Sequence, residues 1–166
     1  MPKPRIAITM GDPAGIGPEI CIDLLNDQEI SGQCIPIVFG DWNVLQACAD
    51  KTNKSFVASK ISVSEFSDIH NPAVLDHAII GPTNFTPGTA DAKTGQATYN
   101  YITSAIETTQ AGKINAVVTC PANKEAMQTG GVAQPGHTEI FAEHSGTKKF
   151  CMAFVSDEIS CSLVTV

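Results

Sequence analysis

The amino-acid sequence predicts an α/β fold built on a parallel sheet. Short apolar segments of strand length alternate with segments in which apolar residues recur at helical spacing, and this alternation is typical of βαβ units. A glycine-rich turn at residues 11–17 follows the first apolar segment. Nearly every residue of Ala116–Thr119 is apolar, as expected for a parallel strand that is buried on both faces.

The first predicted unit is a strand, a turn and a helix. Arg5–Thr9 has the length and composition of a strand, and glycines interrupt the chain shortly after it. Pro18 favours the first turn of a helix, and Ile20 and Leu24 follow at helical spacing. This order places the glycine-rich turn between a strand and a helix N-terminus.

The remaining predicted elements continue the alternation, although residues 51–77 are less regular. Asp41 is a typical N-cap residue, and it precedes a predicted helix that runs to Ala49. Further helices are predicted at residues 94–111, 124–127 and 137–144. Further strands are predicted at residues 35–39, 61–63, 78–81, 116–119, 150–155 and 160–166.

The composition excludes several classes of protein. Ten Lys and Arg residues against 17 Asp and Glu residues give a formal net charge of −7, which disfavours a nucleic-acid partner. The apolar segment at residues 6–8 is too short for a signal-peptide core or a membrane span. Six cysteines are scattered without a C-x-x-C pair. We therefore expect reduced thiols in a cytoplasmic protein with no membrane partner.

Two motifs are candidates for binding an anion. In the glycine-rich turn, Gly15 and Gly17 could offer backbone N–H groups near a helix N-terminus. The spacing fits neither G-x-G-x-x-G nor a P-loop, and a simple tight turn is the alternative. Lys124 follows the predicted strand Ala116–Thr119, where α/β sheets bind ligands. It could hold a phosphate or carboxylate, or it could be an ordinary solvated lysine.

A third motif places His137 and Thr138 side by side at a predicted helix start. Both side chains could hydrogen-bond an oxyanion, while a helix-capping motif with Glu139 is the alternative. The sequence contains no H-E-x-x-H motif, no Cys/His pair at zinc spacing and no G-x-S-x-G turn. No residue of this chain is therefore assigned as catalytic or as a metal ligand.

Taken together, three segments resemble the ordered signatures of the 4-hydroxythreonine-4-phosphate dehydrogenase family. They are ITMGDPAGIGPE at residues 8–19, PANK at residues 121–124 and GHTE at residues 136–139. The resemblance runs through the whole chain but covers only about the N-terminal half of a family member. Cys120 departs from the family pattern, because members usually carry glycine before that proline.

The resemblance implies a fold like that of isocitrate and isopropylmalate dehydrogenases, with two α/β domains around a cleft. Residues 1–128 would form the first domain, incomplete without a returning C-terminal segment, and residues 129–166 would begin the second. The sequence ends within a predicted strand, so we expect the chain to be truncated and to continue in the full-length protein. A homodimer whose partner completes each site is also implied.

The implied activity is an NAD- or NADP-dependent oxidation of 4-phosphohydroxy-L-threonine, with decarboxylation to 3-amino-2-oxopropyl phosphate. By the same resemblance His137 and Thr138 contact the substrate. A divalent metal (Zn, Mg or Co) would be held by three histidines that lie beyond this chain, so the 166 residues alone are expected to be inactive.

Three alternatives remain open at this point. Related dehydrogenases of four-carbon acid-sugar phosphates, such as threonate or erythronate 4-phosphate, keep the same signatures. A chain that truly stops at Val166 would instead be a non-catalytic binding fragment. An unrelated phosphate-binding α/β protein would need all three motifs to coincide by chance.

Overall fold

A computed structural model describes residues 2–62, 65–66, 69–81 and 83–163. Its main sheet is fully parallel, with strand order β3-β4-β2-β1-β5. The strands of this sheet are β1 Arg5–Thr9, β2 Ile35–Gly40, β3 Ser59–Ile61, β4 Ala73–Asp76 and β5 Ala116–Thr119. The helices are α1 Gly17–Asn26, α2 Gln28–Gln33, α3 Trp42–Thr52, α4 Ala92–Gln110, α5 Lys124–Thr129 and α6 His137–Ser145. The predicted α/β class is confirmed.

A separate antiparallel hairpin follows α6. It consists of β6, Ala153–Val155, and β7, Ser160–Ser162, joined by residues 156–159. Both strands are exposed. Residue 63 of one predicted strand and residues 164–166 of another lie outside the described residues.

The register of the sheet brings three chain segments to one edge. Thr9 pairs with Phe39 on one side and with Thr119 on the other. Because the three strands are parallel, the segments that follow β1, β2 and β5 all leave from the same carboxyl edge. The glycine-rich turn and the segment before α5 therefore meet there.

The core lies on both sides of the central strands. β2 is buried along its whole length, and Ile22 of α1 and Tyr101 of α4 are fully buried against the sheet residues. A second apolar cluster joins α4, α5 and α6 through Ile102, Met127 and Ile140. Helix α4 is thus the element against which both α5 and α6 pack.

The prediction that Ala116–Thr119 is buried on both faces is wrong. β5 pairs with β1 alone among the described residues, and Val118 is 53% exposed. Apolar composition identifies a strand, but its burial depends on the layers that pack against it, and those are not encoded in four residues.

The predicted strand at residues 78–81 is also wrong. The strand in this region is β4, Ala73–Asp76, and the chain then turns at Ala78, whose φ of +52° lies in the left-handed region. The backbone N–H groups of Ile79 and Ile80 donate to the Asp41 carboxylate at 2.9 and 2.6 Å. An apolar pair that resembles a strand is here held by a buried carboxylate.

Asp41 occupies the predicted N-cap position of α3, but its side chain makes no capping bond. Besides the two N–H groups of the 79–80 loop, it accepts a hydrogen bond of 2.7 Å from the Tyr101 hydroxyl. Burial and the neighbouring Asp41 charge raise the pKa of Tyr101 far above its usual range. Asp41 therefore connects α3, α4 and the loop after β4.

Helices α4 and α5 approach each other at backbone distance. A Cβ atom on Gly95 of α4 would lie 2.0 Å from the Ala126 carbonyl oxygen of α5. A Cβ on Gly130 would lie 2.6 Å from the Ala92 carbonyl oxygen. The two glycines let α5, which begins with Lys124, sit directly on α4.

We predict that Gly95→Ala lowers the free energy of unfolding by about 3 kcal/mol, because the new methyl group meets backbone that cannot move aside. Gly32→Ala in exposed α2 is the matched control, since a Cβ atom on Gly32 would have no neighbour within 4 Å. It should stabilise the chain by about 0.5 kcal/mol. Urea unfolding measures both, and equal effects of the two substitutions would contradict the close packing.

Candidate functional site

The glycine-rich turn contacts the segment before α5 through backbone atoms. Gly11 has a φ of +73°, and a Cβ atom there would lie 2.3 Å from the Pro121 carbonyl oxygen. The next residue, Asp12, donates its backbone N–H to that same oxygen at 3.1 Å. Only glycine allows this approach. The contact fixes the position of residues 120–123, which join β5 to α5 and are called the 120–123 segment below.

Asp12 shapes the turn with its own carboxylate. The side chain is 3% exposed, and its Oδ1 accepts the Ala14 N–H at 2.8 Å, while its carbonyl accepts the Gly15 N–H at 2.9 Å. Such Asx geometry is a standard turn former. Asp12 therefore holds the turn, and Gly15 is left exposed at its tip.

Gly17 has a different position from Gly15. It is buried at the start of α1, and a Cβ there would lie 1.8 Å from the Met10 carbonyl oxygen. The close packing of the turn onto α1 requires glycine at this position. Its predicted part in anion binding stays a prediction.

Lys124 is the first residue of α5. Asn123 caps that helix, its side chain accepting the Ala126 N–H at 3.1 Å. Lys124 is exposed, and its ammonium group has no hydrogen-bond or ion-pair partner among the residues that the structure describes. The cap thus places the Lys124 ammonium group at the carboxyl edge of the sheet, unpaired within the described part of the chain.

The start of α6 lies against Lys124. A Cβ atom on Gly136 would lie 3.6 Å from Lys124 Cε and 3.5 Å from a Glu139 carboxylate oxygen. His137 follows Gly136, and its Nε2 is buried without a hydrogen-bond partner within the described part of the chain. Thr138, half-buried, is the next residue of the helix. Two of the sequence-predicted motifs are therefore brought together.

The environment of His137 favours the neutral form of its imidazole. Burial lowers the pKa of this histidine below 6.5, and the positive charge of Lys124 lowers it further. A bound anion would oppose the second effect, since it would compensate the ammonium charge and favour the imidazolium form. The pair therefore suits a ligand that brings negative charge.

A cleft of about 440 Å³ opens between the turn and the 120–123 segment. Gly15 and Lys124 line this cleft, whereas Gly17, His137 and Thr138 do not. Its full lining is Asp12, Ala14, Gly15, Ile16, Gly88, Thr89, Pro121, Ala122, Asn123 and Lys124.

Part of this wall was not predicted. Gly88 and Thr89 come from the segment before α4, and the Gly88 N–H donates to the Ala14 carbonyl at 2.7 Å. The sequence around them shows a turn-rich composition, but nothing in that composition indicates which loop it contacts. The role of Asp12 was also missed, although an Asp-Pro pair inside a glycine-rich turn is a signal for an Asx turn.

The arrangement is suited to bind an anion rather than to carry out nucleophilic chemistry. An ammonium group, a neutral imidazole and exposed backbone could together hydrogen-bond a phosphate monoester or a carboxylate. Across the described ranges, no group of three or more His, Cys, Asp or Glu side chains could hold a metal ion. No described helix is both long and apolar enough to cross a membrane.

Comparison with known proteins gives consistent matches. The family model described as "Pyridoxal phosphate biosynthetic protein PdxA" matches residues 32–166. A 4-hydroxythreonine-4-phosphate dehydrogenase of Trichlorobacter lovleyi is 36% identical over 99% of this chain and 50% of its own length. A D-threonate 4-phosphate dehydrogenase of Pectobacterium atrosepticum is 32% identical over 93% of this chain and 48% of its own length.

Solved structures agree with these matches. The crystal structure of a 4-hydroxythreonine-4-phosphate dehydrogenase from Burkholderia phymatum superposes with a TM-score of 0.85 at 33% identity, covering 95% of this chain and 48% of that one. The chain thus spans about half the length of the relatives it matches. On the family match, the sequence identities and the shared fold, the chain belongs to the PdxA family of pyridoxal phosphate biosynthetic proteins.

Proposed function

We propose that this chain supplies the anion-binding part of a dehydrogenase that acts on a phosphorylated four-carbon hydroxy acid. The single observation that supports this most is the position of Lys124, which lines the cleft at the carboxyl edge of the sheet and lies against the start of α6, close enough to His137 to influence its charge. Phosphate and carboxylate groups are the ligands that such a pair recognises. His137 and Thr138 are proposed to contact the substrate.

The substrate is proposed to be 4-phosphohydroxy-L-threonine. Its 3-hydroxyl group would be oxidised to a ketone with transfer of the hydride to NAD or NADP, and the resulting 3-oxo acid would lose CO₂ to give 3-amino-2-oxopropyl phosphate. The name of the Trichlorobacter lovleyi relative supports this assignment. The name of the Pectobacterium atrosepticum relative supports D-threonate 4-phosphate as the alternative substrate.

The described residues do not by themselves fit a metal or a complete nicotinamide site. No three candidate metal ligands come together in the described ranges, and the glycine-rich turn lacks the dinucleotide spacing. As the family resemblance implies, we propose that the ligands of a divalent metal (Zn, Mg or Co) and most nicotinamide contacts lie outside this chain.

We further propose a cytoplasmic homodimer with two domains, divided near residue 128. Exposed apolar side chains outside the main core support this proposal, because further polypeptide would bury them. Val118 on β5 is 53% exposed, and Phe154 and Val155 on the hairpin are 53% and 80% exposed. Apolar groups in such number favour an interface with further polypeptide.

The assay that tests this proposal uses the protein produced from its whole gene. Each candidate substrate is offered with NAD or NADP and with Zn, Mg or Co, and reduced nicotinamide is followed by absorbance. We expect turnover of a 4-phosphorylated four-carbon hydroxy acid and none of the dephosphorylated compound. Phosphate binding without any turnover would favour the non-catalytic binding fragment instead.

We predict that His137→Asn lowers kcat/KM for the phosphorylated substrate by roughly ten- to a hundredfold, because a hydrogen bond to the charged substrate is lost. His70→Asn is the matched control, since His70 is exposed and precedes β4 at the amino edge of the sheet, opposite the candidate site. If the two variants had equal kcat/KM, the proposed contact between His137 and the substrate would be wrong.

We also predict that Lys124→Met raises the pKa of His137, because the ammonium charge that disfavours the imidazolium is removed. NMR titration of the His137 ring protons measures the change. Lys60→Met is the control, because that lysine pairs with Asp76 rather than with His137. A His137 pKa that stays constant in Lys124→Met would show that the two groups are too far apart to interact.

A further inference from the structure

Two buried thiols lie in contact beside the candidate site. Cys21 Sγ in α1 and Cys120 Sγ in the 120–123 segment are 3.8 Å apart. Cys21 is 0% exposed and Cys120 is 5% exposed. Ninety-nine positions separate the two residues in the chain, so the fold alone brings them together.

We propose that Cys21 and Cys120 are a redox modification site, which a peroxide converts to a disulfide and thereby weakens anion binding at the cleft. The second half of this proposal rests on the proposed function of the cleft. The first half, the formation of the bond, is independent of it.

The thiol pair is placed for a direct reaction. The sulfur atoms must approach from 3.8 Å to a bond length of about 2.05 Å. Cys120 is slightly more exposed than Cys21, so we expect a molecule as small as hydrogen peroxide to reach it first. A hydrogen bond from the Cys21 thiol lowers the pKa of Cys120, while that same contact and burial raise the pKa of Cys21.

The reaction balances with hydrogen peroxide as the oxidant. The Cys120 thiolate attacks one peroxide oxygen, the O–O bond breaks, and the departing hydroxide takes up the thiol proton as water, leaving a sulfenic acid. The Cys21 sulfur then attacks the Cys120 sulfur. The S–S bond forms as the S–O bond breaks, and the hydroxyl group leaves with the Cys21 proton as a second water.

We expect closure of this bond to strain the 120–123 segment, because Cys21 on the other side of the pair is enclosed within α1. Cys120 is packed against Gly17 at the start of α1, where a Cβ atom on that glycine would lie 3.4 Å from Cys120 Cβ. Cys21 is enclosed one turn further along that helix. The adjacent Pro121 carbonyl accepts the Asp12 N–H. Strain at Cys120 therefore also acts on the part of the cleft lining that runs from Pro121 to Lys124.

Peptide mapping tests whether the bond forms. The protein from the whole gene is reduced, treated with equimolar hydrogen peroxide, blocked with N-ethylmaleimide while unfolding, and digested with trypsin without reduction. We expect the peptide carrying Cys120 to be linked to the peptide carrying Cys21. Cys34 and Cys48 lie in that same tryptic peptide, so substitution variants identify the partner.

The Cys21→Ala variant should lose the linked peptide. Alanine is chosen rather than serine, because a serine would leave a buried hydroxyl group without a hydrogen-bond partner. The Cys48→Ala variant should keep it, although Cys48 is the more exposed thiol. A link that survives Cys21→Ala, or no link at all under peroxide, would overturn the proposal.

Titration calorimetry with inorganic phosphate then tests the consequence. We expect peroxide to weaken phosphate binding about fivefold in the unsubstituted protein, the scale of one disturbed charge-assisted contact, and to leave Cys120→Ala unaffected. Equal phosphate affinity in both redox forms would overturn the claim that the disulfide weakens anion binding. If the reduced protein itself binds no phosphate, the anion site fails, and the peptide map still decides whether the disulfide forms.

Discussion

The site depends on one backbone contact, between Gly11 of the glycine-rich turn and the Pro121 carbonyl. Because a Cβ at Gly11 would lie 2.3 Å from that oxygen, no other residue lets the two segments meet. The Asp12 N–H then bonds to the same carbonyl, and the Cys120 N–H bonds to the Thr9 carbonyl at 3.0 Å. These bonds fix where the chain leaves β5, and hence where α5 begins.

Helix α4 packs against this contact and stabilises it. The Thr98 hydroxyl donates to the Gly11 carbonyl at 3.1 Å in the buried interior, and Gly95, one turn earlier, lets α5 pack on the same helix. Helix α6 packs there too. A single helix therefore sets the relative positions of Lys124 and His137, which belong to different segments, and their charge coupling follows from that packing.

Local sequence patterns were sufficient for part of this architecture. The strand Arg5–Thr9, the helix after Pro18 and the helix that begins at Lys124 follow from apolar spacing, proline and capping residues. The exposure of Val118 and the left-handed turn at Ala78 did not follow, because both depend on packing between distant segments. The proximity of Lys124 to the start of α6 could not be predicted from the sequence for the same reason.

The central claim is that the carboxyl edge of the sheet binds an anion between the glycine-rich turn and Lys124. Phosphate titration of the ¹⁵N-labelled protein, followed by backbone and imidazole NMR shifts, tests it most directly. We expect saturable shifts at Gly15, Lys124 and His137. Shifts confined to the cavity at the amino end of the sheet, lined by Asn26 and Asp27, would contradict it.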